Sequence, residues 1–115
     1  MDTPVKICIP SKGPEEGDFV DERFGRAPFF IIYDTGSKMA ESHKNPASEA
    51  MGGVGPKAAQ FLLNHSVNLL VAERVGGNAI EALKAGGIKV LLYEEKGKTV
   101  RDAITAFLEG KLQEQ

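Results

Sequence analysis

The sequence predicts an α/β fold: one mixed sheet of about five strands with helices on both faces, in a single domain over residues 1–115. Three observations carry that reading. Apolar runs over residues 67–72 and 88–93 are nearly continuous and of strand length, as parallel strands buried on both faces require. Before, between and after them apolar residues recur at helical spacing, so helix and strand alternate through the second half of the chain. The first half instead carries a hairpin pattern, which makes part of the sheet antiparallel. Met51-Gly52-Gly53-Val54-Gly55-Pro56-Lys57 separates the two halves.

In order, Val5-Lys6-Ile7-Cys8-Ile9 is a β-branched run stopped by Pro10-Ser11-Lys12-Gly13-Pro14, hence a strand and a turn. Val5, Ile7 and Ile9 face one way and Lys6, Cys8 and Pro10 the other. Such a pattern suits a central strand and places Cys8 in the core as a small hydrophobe. Glu15-Glu16-Gly17-Asp18 is a polar loop, and Phe19-Val20 begins a brief strand. Asp21-Glu22-Arg23-Phe24-Gly25-Arg26-Ala27-Pro28 mixes both charge signs without a period, so it is a surface turn or a site. Phe29-Phe30-Ile31-Ile32-Tyr33 is the most apolar strand, and Asp34-Thr35-Gly36-Ser37 has hairpin-turn chemistry. Residues 38–44 return antiparallel as a charged edge that includes Met39 and His43.

A loop over residues 45–50 leads into the glycines. Pro56 suits a first helical turn, so Gly55-Pro56-Lys57 opens a helix to Asn64 that buries Ala58, Ala59, Phe61, Leu62 and Leu63. After the strand over 67–72, Glu73-Arg74-Val75-Gly76-Gly77 turns the chain. Asn78 caps a helix to about Ala85, and Gly86-Gly87 ends it. The strand over 88–93 and a polar loop over 94–98 follow. Thr99-Val100-Arg101-Asp102 has capping-box spacing, and Val100, Ala103, Ile104, Phe107 and Leu108 continue as a helix that Gly110 stops.

Composition narrows the function classes. A net charge of -2 and a pI near 5.7 argue against chain-wide attraction to nucleic acid or anionic lipid, so any anion site is local. One cysteine excludes an internal disulfide and a cysteine-only metal site within one chain. The N-terminus lacks a basic start with an apolar run, and no stretch approaches bilayer length; a cytoplasmic protein without membrane contact is expected. His43 and His65 have no H-x-x-x-H or cysteine spacing, which argues against a closed zinc site. The carboxylates are scattered over loops and helix faces, so acid–base catalysis is not expected and the chain reads as a non-enzyme.

Ligands of open α/β sheets gather beyond the carboxyl ends of parallel strands, where helix N-termini converge. That rim would hold Ser11, Lys12, Arg74, Gly76, Gly77 and Asn78, the helix start at Gly53, Gly55 and Lys57, and nearby Arg23 or Arg26. First-turn N–H groups and cationic side chains together favour an anion there. The alternative is that loops at strand ends ordinarily carry glycine and charge. Gly53-Val54-Gly55-Pro56-Lys57-Ala58 also matches the dinucleotide pattern G-x-G-x-x-A, although no strong strand runs straight into it. A regulatory or interaction module for a nucleotide, small anion or protein partner therefore stays open. A nuclease would need carboxylates at strand ends that here carry Ser11, Lys12 and Arg74.

Three ordered blocks carry a resemblance: Arg23-Phe24-Gly25-Arg26-Ala27-Pro28 running into the strand to Asp34, then Gly52-Gly53-Val54-Gly55, then Val75-Gly76-Gly77-Asn78-Ala79 with residues 83–90. Together they resemble the dinitrogenase iron-molybdenum cofactor biosynthesis family, which includes NifX and the carboxy-terminal region of NifB. The resemblance implies a ribonuclease H-like fold. It also implies non-catalytic binding of an anionic iron–sulfur or iron–molybdenum–sulfur cofactor or precursor, with cofactor-assembly proteins as partners. Many relatives place histidine before the Phe-Gly pair, whereas this chain has Arg23, which holds an anion by paired hydrogen bonds rather than ligating iron. The binding set is then Ser11, Lys12, Arg23, Phe24, Gly25, Arg26, Gly53, Gly55, Lys57, Arg74, Gly76, Gly77 and Asn78, with Cys8 and His43 as metal candidates.

Overall fold

A computed structural model describes residues 3–115. The chain runs β1 (Lys6–Ser11), β2 (Phe29–Asp34), β3 (Met39–Lys44), α1 (Val54–Asn64), β4 (Leu69–Ala72), α2 (Gly77–Ala85), β5 (Lys89–Leu92), α3 (Val100–Leu108) and β6 (Gln113–Glu114). The strands form one mixed sheet in the order β3-β2-β1-β4-β5-β6. β2 is antiparallel to both β1 and β3, as the hairpin pattern requires. β1, β4 and β5 are parallel neighbours.

Alternation along β1 distributes the core. Ile7 and Ile9 join Ile31, Tyr33, Val71, Val100, Ala103 and Ile104 on the face covered by α3. Cys8 joins Phe30, Ile32, Leu70, Val90, Ala58, Leu62 and Leu83 on the face covered by α1 and α2. Each fully buried aliphatic side chain contributes about 1.5–3 kcal/mol of transfer free energy, so both layers hold the sheet.

Among the described residues the sheet has six strands rather than about five. β6 is two exposed polar residues paired antiparallel with Leu91 and Leu92, too short to leave a periodic signal. β1 also continues through Pro10 and Ser11, where a stop was expected. Pro10 pairs with Phe30 on one side, and on the other its carbonyl accepts from Asp21 N–H at 2.9 Å. No donor is needed from Pro10 on that side, so proline costs the ladder nothing there. Phe19 and Val20 form isolated bridges to Thr99 and Ser11.

Helix ends follow local chemistry with one exception. Gly53, at φ 64°, is the N-cap of α1 in a left-handed conformation that glycine tolerates, and Pro56 falls in the first turn. Thr99 Oγ1 accepts from Asp102 N–H at 3.2 Å, while Asp102 Oδ2 accepts from Thr99 N–H at 3.0 Å, completing the capping box of α3. α2 departs from expectation: its N-cap is Gly76, no side chain caps it, and Asn78 lies inside the first turn. Among the described residues no helix is long and apolar enough to cross a membrane.

Candidate functional site

Beyond the carboxyl ends of β1 and β4 the segment from Glu22 to Arg26, the start of α1 and the start of α2 meet around a shallow concavity of about 340 Å³. Glu22, Arg23, Phe24, Gly25, Arg26, Val54, Gly55, Arg74, Val75, Gly76 and Ala79 line it. Two close approaches build it. A Cβ on Gly25 would stand 2.6 Å from Val54 Cγ1, and one on Gly55 would stand 2.7 Å from Ala79 Cβ. Hydrogen in place of a side chain at Gly55 thus lets the first turns of α1 and α2 lie together. This gives that glycine a packing role independent of any dinucleotide.

The cations are held differently. Arg23 Nε and Nη2 donate to Asp21 Oδ1 and Oδ2 at 3.2 and 3.1 Å, and Arg23 N–H donates to Oδ1 at 2.8 Å. Asp21 is almost fully buried. Burial pushes its carboxyl pKa up, but the hydrogen bonds and charge of Arg23 outweigh that and hold it below the ordinary value. Arg23 remains largely exposed, so its guanidinium faces the concavity on a fixed base. Arg26 Nη1 donates to the carbonyls of Ser48 and Ala50 at 3.0 and 2.9 Å, fastening the loop before α1. Asn45 Nδ2 ties the same loop to the carbonyls of Gly25 and Ala27. Arg74 is exposed and makes no ion pair among the described residues. Its loop is anchored by Gln115, whose side chain accepts from Val75 N–H at 2.8 Å and donates to Val75 carbonyl at 2.9 Å.

The concavity therefore gathers Arg23, Phe24, Gly25, Arg26, Gly55, Arg74 and Gly76 from the sequence-derived set. Gly53, Lys57, Gly77 and Asn78 are exposed beside it but do not line it. Ser11 is not at the rim: it is fully buried, and its hydroxyl donates to the Gly13 carbonyl at 2.6 Å. Strand alternation turns that side chain inward. Lys12 pairs with Glu22 at 3.4 Å and lines a neighbouring hollow of about 200 Å³ with Glu73, Glu95 and Lys96. Charges there compensate one another, since Lys96 Nζ donates to both oxygens of Glu73 at 2.9 Å.

Cys8 lies in the core, where burial raises its thiol well above the ordinary value, so it is no accessible ligand. His43 sits on β3, away from the lining. Among the described residues the lining holds three arginines against one exposed carboxylate, and neither cysteine nor histidine. A guanidinium only donates hydrogen bonds, so the lining is predominantly cationic. Asp21, Asn45 and Gln115, which fix this arrangement, were not foreseen from the sequence. Asp21, two residues before Arg23, had a local signal; Gln115, forty residues from Val75, had none.

The model of the family "Dinitrogenase iron-molybdenum cofactor" matches residues 4–110. An uncharacterised protein of Methanocaldococcus jannaschii is 31% identical over 112 residues, which cover 95% of this chain and 90% of that protein. Among solved structures, the apo form of the orange protein from Desulfovibrio gigas is 37% identical with a TM-score of 0.90, covering 96% of this chain and 92% of its own. A NifB-like protein from Thermotoga is 46% identical with a TM-score of 0.83 and the same two coverages.

Proposed function

Because the chain belongs to the dinitrogenase iron-molybdenum cofactor family, we propose that it binds and carries an anionic iron–sulfur or iron–molybdenum–sulfur cofactor, or a precursor of one, without turning it over. The observation that carries the reading is the concavity where Arg23 and Arg74 face the touching first turns of α1 and α2. Helix starts and guanidinium groups both favour negative charge, and each charge-assisted hydrogen bond contributes about 1.5–3 kcal/mol.

The donor set suits a cargo that arrives assembled. Guanidinium and backbone N–H groups bind the outer sulfur or oxygen atoms of a cluster and leave its metal ions coordinated by their own ligands. Phe24, stacked on Phe30 at 5.6 Å, gives the floor a rigid apolar surface against which such a cluster rests. Handover to and from cofactor-assembly proteins in a reducing cytoplasm fits a shallow, open site.

Anaerobic reconstitution with iron, sulfide and molybdate tests the reading. Retention of a chromophore through gel filtration, with the corresponding added mass in native mass spectrometry, is expected. A bare chain after both steps overturns carriage of those clusters. A thermal-shift screen of nucleotides and phosphates separates the alternative of a nucleotide-recognition module, since a ligand at about a hundred times its Kd adds roughly 2.7 kcal/mol of stability.

A further inference from the structure

The chain has only two histidines, and the fold makes them neighbours on the side of the molecule formed by β3 and α1. His43 lies on edge strand β3 and His65 is the C-cap residue of α1; their ring centroids are 4.7 Å apart with 62° between planes. Phe61 packs against both rings, at 5.8 Å from His43 and 4.1 Å from His65. His65 Nδ1 lies 2.9 Å from the Phe61 carbonyl. A carbonyl only accepts, so Nδ1 carries the hydrogen and the neutral ring offers Nε2 as a lone pair. Metal-binding histidines are oriented by the same kind of bond to a backbone carbonyl.

His43 supplies the second observation. Its Nε2 is buried yet has no hydrogen-bond partner among the described residues, with Glu41 Oε2 standing 3.4 Å away. Buried polar atoms are ordinarily satisfied, and a nitrogen left without a partner beside a second imidazole is poised to take one. We propose that His43 and His65 together form a two-imidazole site for a divalent transition-metal ion of the zinc or nickel class. Imidazole suits these ions, and a metal about 2.0–2.1 Å from one nitrogen of each ring bridges rings this close. Among the described residues no cluster of three ligating side chains is preassembled, so the two imidazoles supply two of the metal's ligands and water would have to supply the others. None of these residues lines the arginine concavity, so this site stands apart from the carrier reading.

The test uses the untagged chain, titrated with zinc against a chromophoric chelator and with nickel while the histidine ring protons are followed by NMR. One equivalent is expected to bind, with both sets of ring signals shifted or broadened. His65→Gln and His43→Phe are each expected to weaken binding by at least about tenfold, since even outer-shell changes cost that much. The phenylalanine keeps a ring packed on Phe61; if that variant nevertheless fails to melt cooperatively, His65→Gln carries the test. No binding by the parent chain overturns the proposal. So does unchanged binding by His65→Gln, because no third histidine exists to replace it.

Discussion

Replacing Gly55 with alanine separates a glycine that the fold needs from one that it does not. The new Cβ would lie 2.7 Å from Ala79 Cβ and 3.1 Å from Ala79 Cα. Non-bonded carbons rest at about 3.5–4.0 Å, so the deficit approaches 1 Å against atoms that cannot swing away. α1 and α2 must therefore part, and overpacking of this kind costs about 1–3 kcal/mol. Alanine regains about 0.5–1 kcal/mol over glycine within a helix, so the middle of the overpacking range leaves a net loss of about 1 kcal/mol, and its upper end about 2.5 kcal/mol. For a domain of this size that lowers Tm by about 4–10 °C. Gly77, the first residue of α2, is the control. A Cβ added there would meet no atom within 4 Å and its φ is not positive, so Gly77→Ala is expected to gain about 0.4–1 kcal/mol. Calorimetric melts of the two variants beside the parent decide the matter. A Gly55→Ala chain that melts at or above the parent temperature, or a Gly77→Ala chain that falls as far, refutes the packing argument.

Arg74→Glu is expected to weaken binding of an anionic cluster by roughly 1.5–3 kcal/mol with Tm nearly unchanged, read by equilibrium titration after reconstitution. Thr99→Ala removes the capping box of α3 and is expected to cost about 1 kcal/mol in urea unfolding, with the slope of the transition preserved. Phe30→Ala, in a fully buried ring stacked between Phe24 and Phe61, is expected to cost about 3–5 kcal/mol in the same assay. Asp21 sets a pH dependence: its folded pKa lies below the unfolded value of about 3.9, so its contribution is complete above that pH and is lost as pH falls through the folded pKa. Asp21→Asn is therefore expected to be less stable than the parent near neutrality, with the gap in urea midpoint closing below about pH 4.

The elements legible in the sequence are those whose signal is local. Ile7, Cys8 and Ile9 alternate between two buried layers, and Thr99 and Asp102 announce their cap by spacing alone. Asp34 to Ser37 turn the hairpin as their residue types predict. What escaped depends on partners distant in sequence. Pro10 looks like a strand terminator until Asp21 arrives to bond its carbonyl, and Gln113 and Glu114 become a strand only because Leu91 and Leu92 offer an unpaired edge. The meeting of strand ends with helix starts was legible in outline, as the parallel half requires. The setting of single side chains there was not: Ser11 points inward by strand phase, Lys12 is drawn to Glu22, and Asn78 yields the cap to Gly76.

The two bonds between Gln115 and Val75 make the loop that presents Arg74 answerable to a side chain distant in sequence. Gln115→Ala severs both bonds together and frees the loop without altering a residue of the concavity's lining. Affinity at Arg74 is then a joint property of two segments, and a change outside the lining can alter the rigidity with which the arginine meets an anion.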